Sequence, residues 1–147
     1  MTSRLSPNFT LDEFIFSQTA TRRGISNDPS PEIIARLASV AHKMESVRVI
    51  CGGRPIRISS GYRSPELNRA IGGSQNSAHT QGWAVDFTVS GQTPYDTCKL
   101  IEASSLGYDQ LIQEGGRWVH ISFDPRMRRQ SLTAKFTNGK ATYTKGL

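Results

Sequence analysis

Three histidines occur in the chain, His42, His79 and His120, and two of them stand where chemistry could be built. His42 lies between Ala41 and Lys43 in a stretch of helical periodicity, which assigns it to a surface or boundary. His79 comes seven residues before Asp86, and the intervening Thr80-Gln81-Gly82 can fold its imidazole back over the strand that follows. His120 sits between Val119 and Ile121 in a second alternating stretch. Two imidazoles and one carboxylate make a familiar catalytic zinc set, with the fourth position open to water. Water in that position loses its proton near neutrality, and a scissile carbonyl is polarised there. A histidine and an aspartate seven apart also arise by chance, so the spacing alone leaves the metal reading open. The two cysteines, Cys51 and Cys98, form no C-x-x-C pair. That excludes a zinc ribbon and a thioredoxin-like redox site, and both read as small, partly buried thiols.

The elements around these residues decide which way they point. From Trp83 to Val89, Trp83, Val85, Phe87 and Val89 form one apolar face, and Ala84, Asp86 and Thr88 the other. From Trp118 to Phe123, Val119, Ile121 and Phe123 are opposed by Trp118, His120 and Ser122. Each strand buries one side and offers one metal-capable residue from the other. If both belong to one sheet, Asp86 and His120 project from the same surface.

Elsewhere, Thr10 with Glu13 is a capping-box pattern opening a short helix. Ser30-Pro31 starts an amphipathic helix carried by Ile33, Leu37, Ala41, Met44 and Val47 and running to about Val49. Ile56 to Ser60 alternates as a half-buried strand, and Ser64 to Ala70 reads as a capped helix. Ser74 to Thr80 reads as a polar loop, and Thr93-Pro94 opens a helix to about Ser105. A further strand is expected near Tyr108 to Glu114, with Gly115-Gly116 in the turn after it. Asn138-Gly139 is a hairpin signal. The order predicts an α+β domain with helices packed on a small antiparallel sheet, one domain over residues 1–147.

Charge is placed unevenly. The net charge is +6, and Arg126, Arg128, Arg129, Lys135, Lys140 and Lys145 follow Asp124 with no acidic residue among them. This basic segment, 125–147, suits an anionic partner such as a cell-wall polymer, a membrane surface or nucleic acid, or serves as a solubilising surface. A nucleic-acid partner is not expected, because few aromatics beyond Phe136 and Tyr143 interleave with the charges. Met1 to Asn8 lacks the apolar run of a secretory signal, and no stretch is long enough to span a bilayer. Synthesis in the cytoplasm is the expectation, with delivery by other means to any substrate outside the membrane.

Three ordered motifs carry a family resemblance. Ser77-Ala78-His79-Thr80-Gln81-Gly82-Trp83-Ala84-Val85-Asp86 resembles the S-x-H-x-x-G-x-A-x-D signature of the D-Ala-D-Ala metallopeptidases. Trp118-Val119-His120-Ile121-Ser122 resembles their W-V-H block, and Ser60-Gly61-Tyr62-Arg63-Ser64 their S-G-Y-R-S element. The opening Phe9-Thr10-Leu11-Asp12-Glu13-Phe14 is similar to small phage-type members. The resemblance implies a hedgehog/DD-peptidase-like fold in a monomer, with His79, Asp86 and His120 as zinc ligands. It implies a zinc peptidase cutting D-alanyl-D-alanine or L-alanyl-D-glutamate bonds of bacterial peptidoglycan, as a phage or prophage endolysin acting in host-cell lysis. It gives Arg63 the tasks of holding substrate and stabilising negative charge, which suit a guanidinium. Ser77 becomes a group orienting ligand or substrate, with loop capping as its other reading.

The general base departs from the pattern. Many relatives carry an acidic residue or histidine three places before the third ligand, and here that place is Arg117, which cannot accept a proton. Glu114 is the nearest candidate. With a three-residue loop of Gly115-Gly116-Arg117 it pairs opposite Trp118 and shares His120's face; with a two-residue turn it faces away. Asp109 is the runner-up. The alternative function is a non-catalytic zinc-binding or virion-associated module of the same fold.

Overall fold

The computed structural model describes residues 3–147. Its main sheet has six strands in the order β3-β4-β6-β5-β7-β8. These are β3 (Ile56–Ser60), β4 (Ala84–Val89), β5 (Gln110–Glu114), β6 (Trp118–Ser122), β7 (Gln130–Thr137) and β8 (Lys140–Lys145). A separate two-stranded sheet pairs β1 (Arg4–Ser6) with β2 (Phe9–Thr10). The fold class is α+β, with the alternating stretches as strands and the periodic ones as helices. Chain contacts group into two compact units, one formed by the residues up to Glu45 with Ile58–Val85, the other by Ser46–Arg57 with Asp86–Leu147.

The first unit is built on helices. In α1 (Leu11–Ile15), the Glu13 carboxylate accepts the Thr10 N–H at 2.8 Å, one half of a capping box. Phe9 and Phe14 are fully buried, their rings 6.0 Å apart. Helix α2 (Gln18–Arg23) had no apolar periodicity to announce it; Ser17 caps its start by accepting the Ala20 N–H. Helix α3 (Pro31–Ile50) buries Leu37, Val40, Ala41 and Met44 along one stripe and leaves His42 exposed. Ser64 caps α4 (Pro65–Ala70) through the Leu67 N–H.

In the second unit α5 (Pro94–Ala103) buries Cys98 and Ile101, and the strands contribute Phe87, Leu111, Val119 and Ile121 to the core. Both cysteines are free and buried, and burial pushes the Cys98 thiol up to about 12. That makes it inert at neutral pH.

One strand pair departs from the antiparallel expectation: β7 lies beside β5 and runs parallel to it. After β6 the chain does not turn straight back as a hairpin but passes to the far side of β5. Met127 and Arg129 take positive φ in that passage, at 42° and 55°. Asp109 holds it, accepting the Arg128 N–H at 3.0 Å and two guanidinium hydrogen bonds at 2.9 Å each. Within the basic segment, Gln130–Thr137 and Lys140–Lys145 are strands of the sheet, and the three arginines lie in the passage before them. Asn138 and Gly139, at φ 52° and 79°, make the tight β7–β8 turn that the Asn-Gly pair predicts. Among the described residues, no helix is long and apolar enough to cross a membrane.

Candidate metal centre

His79 is carried on a single 3-10 turn, Ala78–Gln81, inside the stretch read from sequence as a polar loop. Ser77 caps the turn by accepting the His79 N–H at 3.2 Å, and Gly82 ends it in the left-handed region at φ 76°. Arg36 of α3 ties the turn down, donating to the Gln81 carbonyl at 3.1 Å and lying 5.2 Å over the Trp83 ring. Such a short turn has little stability of its own, so these anchors fix where the imidazole points.

The ring is also fixed in tautomer. Nδ1 of His79 lies 2.7 Å from the Gly61 carbonyl oxygen, which can only accept, so Nδ1 carries the proton and Nε2 keeps a lone pair for a metal. Gly61 is needed there. A side chain at that position would collide with the Phe14 carbonyl, which accepts the Tyr62 N–H at 2.7 Å. In the same segment the Arg63 N–H donates to the His79 carbonyl at 3.1 Å, and the Arg63 guanidinium donates to Ser77 Oγ at 3.1 Å. Ser77 thus caps the turn and also accepts from the Arg63 side chain.

Asp86 on β4 and His120 on β6 meet through Oδ1 and Nδ1 at 2.9 Å. Each of His79, Asp86 and His120 offers one ligand atom, and those atoms lie within 4.8 Å of one another. His79 is buried and the other two half-buried. Tetrahedral zinc ligands at about 2 Å from the ion stand roughly 3.3 Å apart, so the residues present fit a divalent ion of the zinc type. Nitrogen and carboxylate donors with one preset tautomer are the chemistry such an ion takes.

Glu114 completes the face. The register pairs Glu114 with Trp118 and Ile112 with His120, so the Gly115-Gly116-Arg117 loop is the three-residue form and Glu114 shares His120's side of the sheet. Glu114 is buried, and burial raises its carboxyl above the ordinary range, with His120 lowering it and Asp86 raising it further. A raised carboxylate accepts protons more readily near neutrality. Arg117 is exposed, its guanidinium 5.7 Å over the Phe136 ring. Asp109 is a poor proton acceptor by contrast. Arg128's hydrogen bonds outweigh its burial and hold its carboxyl below the usual range.

The Peptidase M15 family model matches residues 7–122. The chain belongs to the Peptidase M15 family. It is also similar to a zinc D-Ala-D-Ala carboxypeptidase of Streptomyces albus G, at 31% identity over 74 residues. That similarity takes in 50% of this chain and 28% of the relative, so the chain spans less than a third of that protein's length.

The M15 match ends at Ser122, before β7 and β8. Of the basic residues beyond it, the three arginines have partners within the chain. Arg126 pairs with Asp124 at 3.0 Å, Arg128 with Asp109 at 2.9 Å, and Arg129 caps the end of α5 through the Ser104 carbonyl at 2.7 Å. Lys135, Lys140 and Lys145 are exposed. Sequence reasoning gave Gly61 no role, although the S-G-Y-R-S element contained it. A carbonyl that accepts from a histidine leaves no signature in residue type.

Proposed function

We propose that this M15 family member is a zinc peptidase that hydrolyses a peptide bond of bacterial peptidoglycan, of the D-alanyl-D-alanine or L-alanyl-D-glutamate type. The observation that carries the reading is the convergence of His79, Asp86 and His120 within 4.8 Å, with Glu114 on the face that bears His120. The name of the Streptomyces relative supports the metal and the substrate class.

When bound, the ion supplies Lewis-acid activation of water and of the scissile carbonyl. The chain's own residues do the rest. His79, through Nε2, Asp86 and His120 would hold the ion. Glu114 takes the proton of the attacking water and returns it to the leaving amine nitrogen. Arg63, braced by Ser77, holds a substrate carboxylate or oxyanion with its fixed donors. Exposed Lys135, Lys140 and Lys145 attract the anionic wall. A finer part of the reading is an endolysin, made in the cytoplasm and released to the wall; the Phe9-to-Phe14 opening supports it by its similarity to phage-type members.

Digestion of purified peptidoglycan by the zinc-loaded protein, with new amino and carboxyl ends identified by mass spectrometry, tests the reading. New D-alanine or new D-glutamate ends are the expected result. Stoichiometric zinc with no new ends on any wall type would leave a non-catalytic zinc-binding module in its place.

A further inference from the structure

The register of the sheet lines up four residues at one level. Trp118 on β6 stands opposite Glu114 on β5, Glu114 beside Ala134 on β7, and Ala134 opposite Tyr143 on β8. Residues paired this way project from the same face, so Tyr143 shares the face of Glu114 and His120. At this level of the ladder the residue between Glu114 and Tyr143 is Ala134, whose side chain is a single methyl. Two strand spacings, roughly 10 Å, are a span that a glutamate and a tyrosine close by leaning toward each other over a methyl.

The burial pattern agrees. Ala134 is fully buried, while Lys135, Phe136 and Thr137 after it are exposed, so large side chains from neighbouring strands cover it. Tyr143 is 53% exposed, with half its ring covered and half open. Its phenol feels both the Glu114 and the Asp86 carboxylates, which, after burial, raise it further above its ordinary value. It is therefore a neutral hydrogen-bond donor at any working pH. Phe136, two residues from Ala134 on the same face, lies 5.8 Å from the Trp118 ring and is partly exposed. An exposed β-hairpin needs no aromatic pair to fold, and an Asn-Gly turn already sets its register. Phe136 and Tyr143 lie beyond the residues matched by the family model.

We propose that Tyr143 is a substrate-contacting residue, its phenol donating a hydrogen bond to a peptide carbonyl of the substrate beside Glu114, so that the β7–β8 hairpin forms part of the binding surface. This rests on the peptidase reading, and the test separates the two. Zinc-loaded wild type, Tyr143→Phe, Tyr143→Ala and, on the opposite face of β8, Thr142→Ala are compared on a synthetic stem pentapeptide ending in D-Ala-D-Ala, with zinc content and melting temperature measured for each. Tyr143→Phe should keep metal and melting temperature and lose about tenfold in kcat/KM, the scale of one hydrogen bond. Thr142→Ala should stay within about twofold.

A second readout does not require turnover. Tyr62 and Tyr108 are buried, and Tyr95 on α5 is 46% exposed. Tetranitromethane should therefore nitrate Tyr143 and Tyr95 in the free protein, and the pentapeptide should protect Tyr143 alone. Full kcat/KM in Tyr143→Phe with no protection overturns the proposal and leaves the peptidase reading standing. Protection in a wild-type protein that cleaves nothing keeps the contact and removes the peptidase reading. Neither protection nor cleavage removes both.

Discussion

The imidazole of His79 donates from Nδ1 to the carbonyl of Gly61 at 2.7 Å, and this one bond joins two stretches of sequence 18 residues apart. It decides which nitrogen of His79 faces a metal. Its geometry depends on how closely Gly61 approaches Phe14, because any Cβ at residue 61 meets the Phe14 carbonyl.

Gly61→Ala should therefore loosen zinc without touching a ligand. Losing the partner of a ligand histidine costs about 10- to 100-fold in metal affinity. Competition with a chromophoric chelator measures it; wild-type affinity in a folded Gly61→Ala protein would show that the carbonyl does not set the tautomer.

Removing a ligand should be more severe. The wild type is expected to bind about one zinc per chain, and His120→Ala to lose both the metal and hydrolysis, since only two donors remain. Elemental analysis after dialysis checks this, and full occupancy in the variant would take His120 out of the ligand set.

Glu114→Gln keeps the shape of the side chain but cannot accept a proton. It should retain zinc and lose about a hundredfold or more in turnover, the usual scale for a general base. Near-normal hydrolysis would move the proton transfer elsewhere. The same assay on Asp109→Asn should show turnover far less affected, because Arg128 already occupies that carboxylate.

Asp109 should instead appear in the pH dependence of stability. Arg128 holds its folded-state carboxyl below the unfolded value of about 3.9. The interaction thus contributes fully above that pH and is lost as pH falls through the lower, folded-state value. Asp109→Asn should melt below wild type at pH 7, and the gap should narrow once the pH drops under about 3.9. A gap independent of pH would mean that the side chain matters through packing rather than charge.

Much of the centre is legible in the chain itself. Alternation in Ala84–Val89 and Trp118–Ser122 puts Val85, Phe87, Val119 and Ile121 on one face and Asp86 and His120 on the other, because a strand's side chains have period two, although Ala84 and Ser122 beside them are buried as well. The helical stripe of α3, the caps at Thr10 and Ser64 and the Asn138-Gly139 turn are local in cause, and local sequence contains them. The side on which Glu114 falls could not be read that way. A two-residue and a three-residue turn both suit Gly115-Gly116-Arg117, and only pairing across the ladder chooses between them. The basic stretch after Asp124 reads as a charged segment for an outside partner because composition carries no internal one. Arg128 and Arg129 are bound by Asp109 and the end of α5, and β7 by β5, through contacts distant in sequence, while the Arg126–Asp124 pair is local. Residue type thus determined which groups can bind a metal, and long-range pairing decided which other groups stand beside them.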